Sequence, residues 1–227
     1  CAFSQHLLQS VVHFVPTSKR RTKVRAKEME KEKMTKKVMV ILADGCEESE
    51  AATIIDVMRR AGFRCDGVSI CGEIVRCQHG MRLLADQVLT DSLKEYETYD
   101  AVILTGGWSG TDNMKADERL LKLLQFYADA SDRYLAAMCA APSVLAFAGV
   151  TRGKTLTSYP DPKLESLFTD ANYVTDTVVV DEKGRLITSR GPGTVLPFSF
   201  AVVDALGGDS KTIKERFLYS ELKNCIE

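Results

Sequence analysis

Cys139 stands where a short apolar run, Tyr134-Leu135-Ala136-Ala137-Met138, meets Ala140-Ala141-Pro142-Ser143 and a second apolar stretch reaching Ala148. The first run has the length of a buried strand. Pro142 suits the first turn of a helix, where its missing N–H is not needed. The pattern predicts a strand-to-helix turn with Cys139 at the turn, the thiol counterpart of a nucleophile elbow. Helix N–H groups favour an anion, so the expectation is a thiolate-prone Cys139, the most acidic and most readily oxidised thiol of the chain. The plainer alternative is a buried structural cysteine closing a strand, since free cysteine is among the most buried residue types.

Two other segments supply complementary chemistry. Glu50 lies in the acidic segment Glu47-Glu48-Ser49-Glu50 at the start of a predicted helix. A carboxyl group buried beside sulfur tends to stay protonated, and can donate to a thiolate or act as general acid and base. Gly106-Gly107 lets backbone N–H groups approach closely, and the N–H of Ala140, next after the nucleophile, is the expected second oxyanion donor. Each segment also has a structural reading. Glu47 and Glu48 fit the ordinary acidic first turn of a helix, and paired glycines most often only turn the chain.

The elements that would bring these groups together alternate. Residues 38–43, 100–105 and 133–138 are continuous apolar runs, the signature of strands buried on both faces. Helical spacing marks residues 47–60, with Ala51, Ile54, Ile55 and Met58 on one face. It also marks residues 118–130, with Leu120, Leu121, Leu124 and Tyr127, and residues 196–206 and 213–218. Further strands are expected over residues 64–70, 73–78, 82–89, 173–180 and 186–189, and a short helix over 164–168. The class is α/β: a flavodoxin-like, three-layer, doubly wound and mostly parallel sheet in a single domain. In such sheets sites form at the carboxyl edge of the strands. Residues 44–50, 106–110 and 139–143 should meet there.

Composition narrows the function. The 227 residues are 45% hydrophobic and 27% charged, ordinary for a globular chain. Residues 1–37 carry ten basic and three acidic residues, leaving 20 basic and 28 acidic in the rest, a net charge of −8. An acidic body argues against nucleic-acid binding. Residues 1–34 are read as a basic extension, disordered or leader-like and compatible with organelle targeting, and 35–227 as the domain. Seven cysteines without a C-x-x-C pair point to a reducing, cytoplasmic setting with free thiols. The three histidines form no zinc-ligand spacing with them, so no metal is expected. No apolar run is long enough to span a membrane. The acidic loop after the first strand would repel phosphate, so no flavin or other cofactor is expected.

Five segments together resemble the parkinsonism-associated deglycase family of the PfpI-like superfamily: residues 41–50, 56–62, 105–107, 136–142 and 188–194, including Ala136-Ala137-Met138-Cys139-Ala140-Ala141-Pro142 and Thr188-Ser189-Arg190-Gly191-Pro192-Gly193-Thr194. The resemblance runs from about residue 36 to 218. It implies a flavodoxin-like fold, a homodimer, and an oxidation-sensitive cysteine at Cys139 partnered by Glu50, with the glycine-loop N–H at Gly107. It also implies glyoxalase activity on methylglyoxal, deglycase activity on its adducts, and redox-stress functions including chaperone-like ones. Two positions depart from the family pattern. Tyr159 stands where the family often has a proton-transferring histidine. A phenol is a poor base at neutral pH, so Tyr159 is left as a substrate contact. His79 stands where close relatives carry an arginine near the dimer contact. The dimer is expected along residues 47–62, with Ala51, Ile55 and Met58 as an apolar strip.

Three other functions compete with this one. A Cys–His peptidase or amidotransferase needs a histidine beside the nucleophile, and His79 falls in a turn far from Cys139 in sequence. A flavin module lacks its phosphate loop. A non-enzymatic redox sensor uses the same Cys139, oxidised to sulfinate and held by Glu50 and the Gly107 N–H.

Overall fold

Strands β1 (Lys37–Leu42), β6 (Ala101–Leu104) and β7 (Tyr134–Met138) hold the centre of the sheet because every second residue has an apolar partner on each side. Met39 and Ile41 of β1, Val102 and Leu104 of β6, and Leu135 and Ala137 of β7 enter one core. Val38, Val40, Leu42, Ala101, Ile103, Ala136 and Met138 enter the other. Burying such a side chain contributes about 1.5–3 kcal/mol each, which makes these three strands the main anchor of the fold.

The computed structural model describes residues 35–224. In chain order the remaining elements are α1 (Glu48–Arg60), β2 (Arg64–Ser69), β3 (Ile74–Arg76), β4 (Arg82–Leu84), β5 (Gln87–Val88), α2 (Trp108–Ala116), α3 (Glu118–Asp129), α4 (Pro142–Phe147), β8 (Thr155–Leu156), α5 (Pro162–Glu165), β9 (Asn172–Tyr173), β10 (Val178–Asp181), β11 (Leu186–Ser189), α6 (Val195–Ala205) and α7 (Ser210–Arg216). Seven strands form one sheet in the order β10-β11-β7-β6-β1-β2-β5. Only β10 runs antiparallel, paired with β11 at the edge. Helices α1 and α6 cover one face and α3 and α4 the other, which is the expected three-layer arrangement.

Local chemistry sets the helix starts. The Glu47 carboxylate accepts the N–H groups of Ser49 (2.7 Å) and Glu50 (3.1 Å), capping α1. Asp117 caps α3 in the same way through the N–H groups of Arg119 and Leu120. Each cap supplies an acceptor to donors that the helix cannot pair, typically stabilising by about 1 kcal/mol.

Several boundaries differ from the sequence reading. Helix α2 occupies residues read as a loop; it buries only Gly110, Thr111 and Met114, too few to give a periodic signal. Residues 82–89 are not one strand. They divide between β4, in a two-stranded hairpin with β3, and β5 at the edge of the main sheet. The Asp86 carboxylate sits at the division and accepts the Gly67 N–H at 2.7 Å. Residues 173–180 likewise split into β9 and β10. On α3 the fully buried leucines are Leu120, Leu123 and Leu124, with Leu121 only partly buried. On α1, Ala51 and Met58 are wholly buried within the protomer and Ile55 partly so, so the expected outward apolar strip does not exist there. The extension of residues 1–34 lies outside the described residues.

Candidate active site

Three loops converge at the carboxyl edge of β1, β6 and β7, and backbone hydrogen bonds lock them together. The Glu47 N–H donates to the Gly106 carbonyl at 3.1 Å, and the Gly110 N–H to the Gly45 carbonyl at 3.1 Å. Gly107, at φ 93°, leaves no space for a side chain: a methyl group there would lie 2.2 Å from the Gly45 oxygen. The glycine pair therefore exists for close approach of three chains, as well as for its N–H groups.

Cys139 follows β7 at φ 59°, a left-handed conformation uncommon outside glycine. Its N–H donates to Ser189 and its carbonyl accepts the Tyr159 N–H at 2.7 Å, which pins the turn from both sides. The N–H groups of Gly107 and Ala140 both act on the sulfur and favour its thiolate form. They do not prevail. Burial first, and then the neighbouring Glu50 carboxylate, push the Cys139 thiol up to about 12. Burial and Glu50 thus oppose the N–H groups on which the expectation of an acidic thiolate rests. Desolvation of the sulfur outweighs the Gly107 and Ala140 N–H groups.

Glu50 is fully buried in the first turn of α1. Its Oε2 accepts the Gly106 N–H at 2.6 Å. Its Oε1 is buried without a nitrogen or oxygen partner, and the Cys139 thiol is the group's remaining polar neighbour. Burial raises Glu50 to about 7, opposed by the Gly106 N–H and the Cys139 thiol. A carboxyl group with that affinity exchanges its proton readily at neutral pH.

Cys139 opens onto a cavity of ≈ 160 Å³ lined also by Glu47, Gln78, His79, Gly107, Trp108, Ala140, Tyr159 and Pro192. Of the residues singled out from sequence, Cys139, Gly107, Ala140 and Tyr159 line it, and Glu50 adjoins it through the Cys139 sulfur. Tyr159 packs edge-on against Trp108 with ring centroids 5.8 Å apart. Trp108 is held by its own N–H, which donates to Gln78 Oε1 at 2.8 Å.

Trp108 comes with the 106–110 loop expected at this edge, whereas Gln78 and His79 are lining residues that the sequence did not reveal. The hairpin β3–β4 carries His79 to the cavity wall, although it is remote from Cys139 in the chain. Its Nδ1 lies 3.3 Å from Glu48 Oε2 and 3.8 Å from Glu47 Oε1. Glu47, Glu48 and His79 each offer one ligand atom within 4.8 Å of the others. Both carboxylates already hold backbone: Glu47 caps α1 through its other oxygen, Oε2, and Glu48 accepts the backbone N–H groups of His79 and Met81. These hydrogen bonds hold the Glu48 carboxyl below its usual range against the cost of its burial.

The chain is 40% identical over 179 residues to Protein dj-1beta of Drosophila melanogaster, covering 78% of this chain and 93% of that protein. It is 30% identical over 180 residues to the protein of Caenorhabditis elegans named glutathione-independent glyoxalase DJR-1.2, covering 78% and 92%. The crystal structure of Drosophila melanogaster DJ-1beta superposes with a TM-score of 0.74 at 38% identity, covering 81% of this chain and 98% of that one. Residues 36–205 match the profile of the DJ-1/PfpI family, and the chain belongs to that family.

Proposed function

We propose that this protein is a cysteine-dependent, cofactor-independent glyoxalase or deglycase of the stress response, acting on methylglyoxal or its adducts. One observation carries the reading: the Cys139 sulfur lies between the N–H groups of Gly107 and Ala140 and a buried carboxyl, Glu50, raised to about 7. The name of the Caenorhabditis elegans relative supports the same class.

The steps use groups already described. Glu50 takes the thiol proton, and the sulfur attacks the aldehyde carbon to give a hemithioacetal. This compensates for the high affinity of Cys139 for its proton, because thiolate is formed only as the carboxylate accepts it. The Gly107 and Ala140 N–H groups then stabilise negative charge on the hemithioacetal oxygen. Glu50 gives the thiol proton to that oxygen and, again a carboxylate, takes the proton from the former aldehyde carbon and delivers it to the neighbouring carbon, while the hydroxyl proton on the first carbon passes to the second oxygen, so that the first carbon is oxidised and the second reduced. Water hydrolyses the resulting thioester, releasing lactate and the free thiol. Tyr159 and His79, on the cavity wall, supply hydrogen bonds to the second carbonyl.

The test is lactate formation from methylglyoxal by the purified protein. Cys139→Ala and Glu50→Gln should both abolish it. A parent protein without turnover overturns the reading and favours the alternative, a redox sensor or chaperone-like regulator. The same N–H pair is the feature that supports this alternative, because it would hold the oxygens of an oxidised Cys139. We further propose that the protein works as a homodimer in the cytoplasm.

A further inference from the structure

Cys46 and Cys77 come together on the side of the sheet covered by α1, and the proposed chemistry uses neither. Their sulfurs are 3.8 Å apart. Both are free, and both are buried, Cys46 completely and Cys77 to 6% exposure. The segments that carry them are already paired through the backbone. The Gln78 N–H donates to the Cys46 carbonyl at 2.9 Å, and the Gly45 N–H to the Arg76 carbonyl at 2.7 Å.

We propose that Cys46 and Cys77 are a site of reversible oxidation that closes into a disulfide. A disulfide has sulfurs about 2.05 Å apart, so closure needs an approach of roughly 1.8 Å, within reach of a χ1 adjustment between adjoining backbones. The alternative is that the two sulfurs are simply small apolar fillers. Against that stands their placement side by side on two hydrogen-bonded segments, which is the arrangement a bridge requires.

The chemistry balances with peroxide as oxidant. The Cys77 thiol, the more exposed of the two, is oxidised to a sulfenic acid and peroxide is reduced to water. The Cys46 thiol then attacks the Cys77 sulfur. The S–S bond forms, the S–O bond breaks, and the leaving hydroxide departs as water with the Cys46 proton. Burial raises both thiols above their ordinary range. Oxidation should therefore accelerate as pH rises.

The bridge would join two parts of the cavity wall. Cys46 precedes Glu47, the cap of α1, and Cys77 precedes Gln78 and His79. Oxidation would thereby fasten the β3–β4 hairpin to the start of the helix that carries Glu50, without touching Cys139.

The experiment treats the full chain and its Cys139→Ser variant with hydrogen peroxide at pH 8. Remaining thiols are then alkylated, and the protein is digested without reduction for mass analysis. A linked Cys46–Cys77 peptide pair, lighter than the two free peptides by two hydrogens, is expected in both proteins. It should vanish after dithiothreitol. Cys46→Ser and Cys77→Ser should each lack it, and the thermal midpoint should rise on oxidation in the parent and in Cys139→Ser but not in those two variants. Recovery of both cysteines alkylated while Cys139 is fully oxidised would overturn the proposal. So would a link from Cys77 to Cys71, or a Cys46–Cys77 link formed only in denaturant.

Discussion

The Gly106 N–H donates to Glu50 Oε2 at 2.6 Å, and a methyl group on Gly106 would lie 2.8 Å from that oxygen and 2.8 Å from the Cys139 sulfur. The thiol and the carboxyl are thus packed around a residue with no side chain. Gly106→Ala should force the two apart. The expected cost is about 1–3 kcal/mol of stability, typical of overpacking, together with loss of turnover. Chemical denaturation and lactate assays check this. A variant that keeps both parental stability and parental rate would show that the contact is not tight.

Glu50 should make stability depend on pH. Its folded-state value of about 7 lies above the ordinary 4.5, so the folded protein holds a proton that the unfolded chain has lost between those values. The contribution is fully present below pH 4.5 and is lost as pH rises through 7. The amount is on the order of 3 kcal/mol, from 1.36 kcal/mol per unit. Glu50→Gln, which cannot ionise, should gain thermal midpoint over the parent at pH 8 and gain little at pH 4.5. Equal gains at both pH values would contradict the assignment.

The same substitution should act in the opposite sense on the sulfur. The Glu50 carboxylate raises the Cys139 thiol, both by its charge and by its hydrogen bond. In Glu50→Gln the pH midpoint for alkylation of Cys139 by iodoacetamide should fall, even though turnover disappears. An unchanged or higher midpoint would mean that burial alone sets the thiol.

Tyr159→Phe should cost about tenfold in rate, the 1.4 kcal/mol of one modest hydrogen bond. The ring packs on Trp108, and phenylalanine preserves that contact. Tyr159→His should leave the rate equal or higher. Abolition of turnover by Tyr159→Phe, to the level of Cys139→Ala, would make the phenol essential and sink this division of labour.

If the proposed dimer forms, the β3–β4 hairpin offers it exposed apolar side chains that α1 does not. Ile74 and Leu84 are paired directly across it and are 59% and 77% exposed, and Met81 is 52% exposed. Light scattering should give twice the 25.1 kDa chain mass at micromolar concentration. Leu84→Asp should shift the mass toward the monomer. A parent protein that is monomeric throughout would refute the dimer.

The legible parts of this fold were those in which one segment carries its own signal. Strands β1, β6 and β7 read as apolar runs because both faces are buried, and α1 and α3 read by spacing because one face is. Helix α2 was invisible because Gly107 caps it without a side-chain hydrogen bond and its sequence, WSGTDNMKA, has no apolar stripe. Cys139, Glu50 and Gly107 could be placed on one sheet edge because strand direction alone puts them there. His79 and Gln78 could not, since their place on the cavity wall depends on how a two-stranded hairpin folds over the sheet. The surroundings of the Cys139 sulfur are legible only in part for a related reason: N–H groups that favour its thiolate can be read from sequence, but the burial that opposes them cannot.

Cys139 at φ 59° leaves the protein with opposed requirements at one position. A left-handed backbone costs a residue with a β-carbon roughly 1 kcal/mol or more, and glycine almost nothing. Among substitutions here, glycine would relieve the turn most while removing the sulfur. A search for stabilised variants that scores only melting temperature would be drawn toward Cys139→Gly, and would return a sturdier scaffold without its thiol. Engineering of this chain for durability therefore has to hold position 139 fixed and find its gains elsewhere.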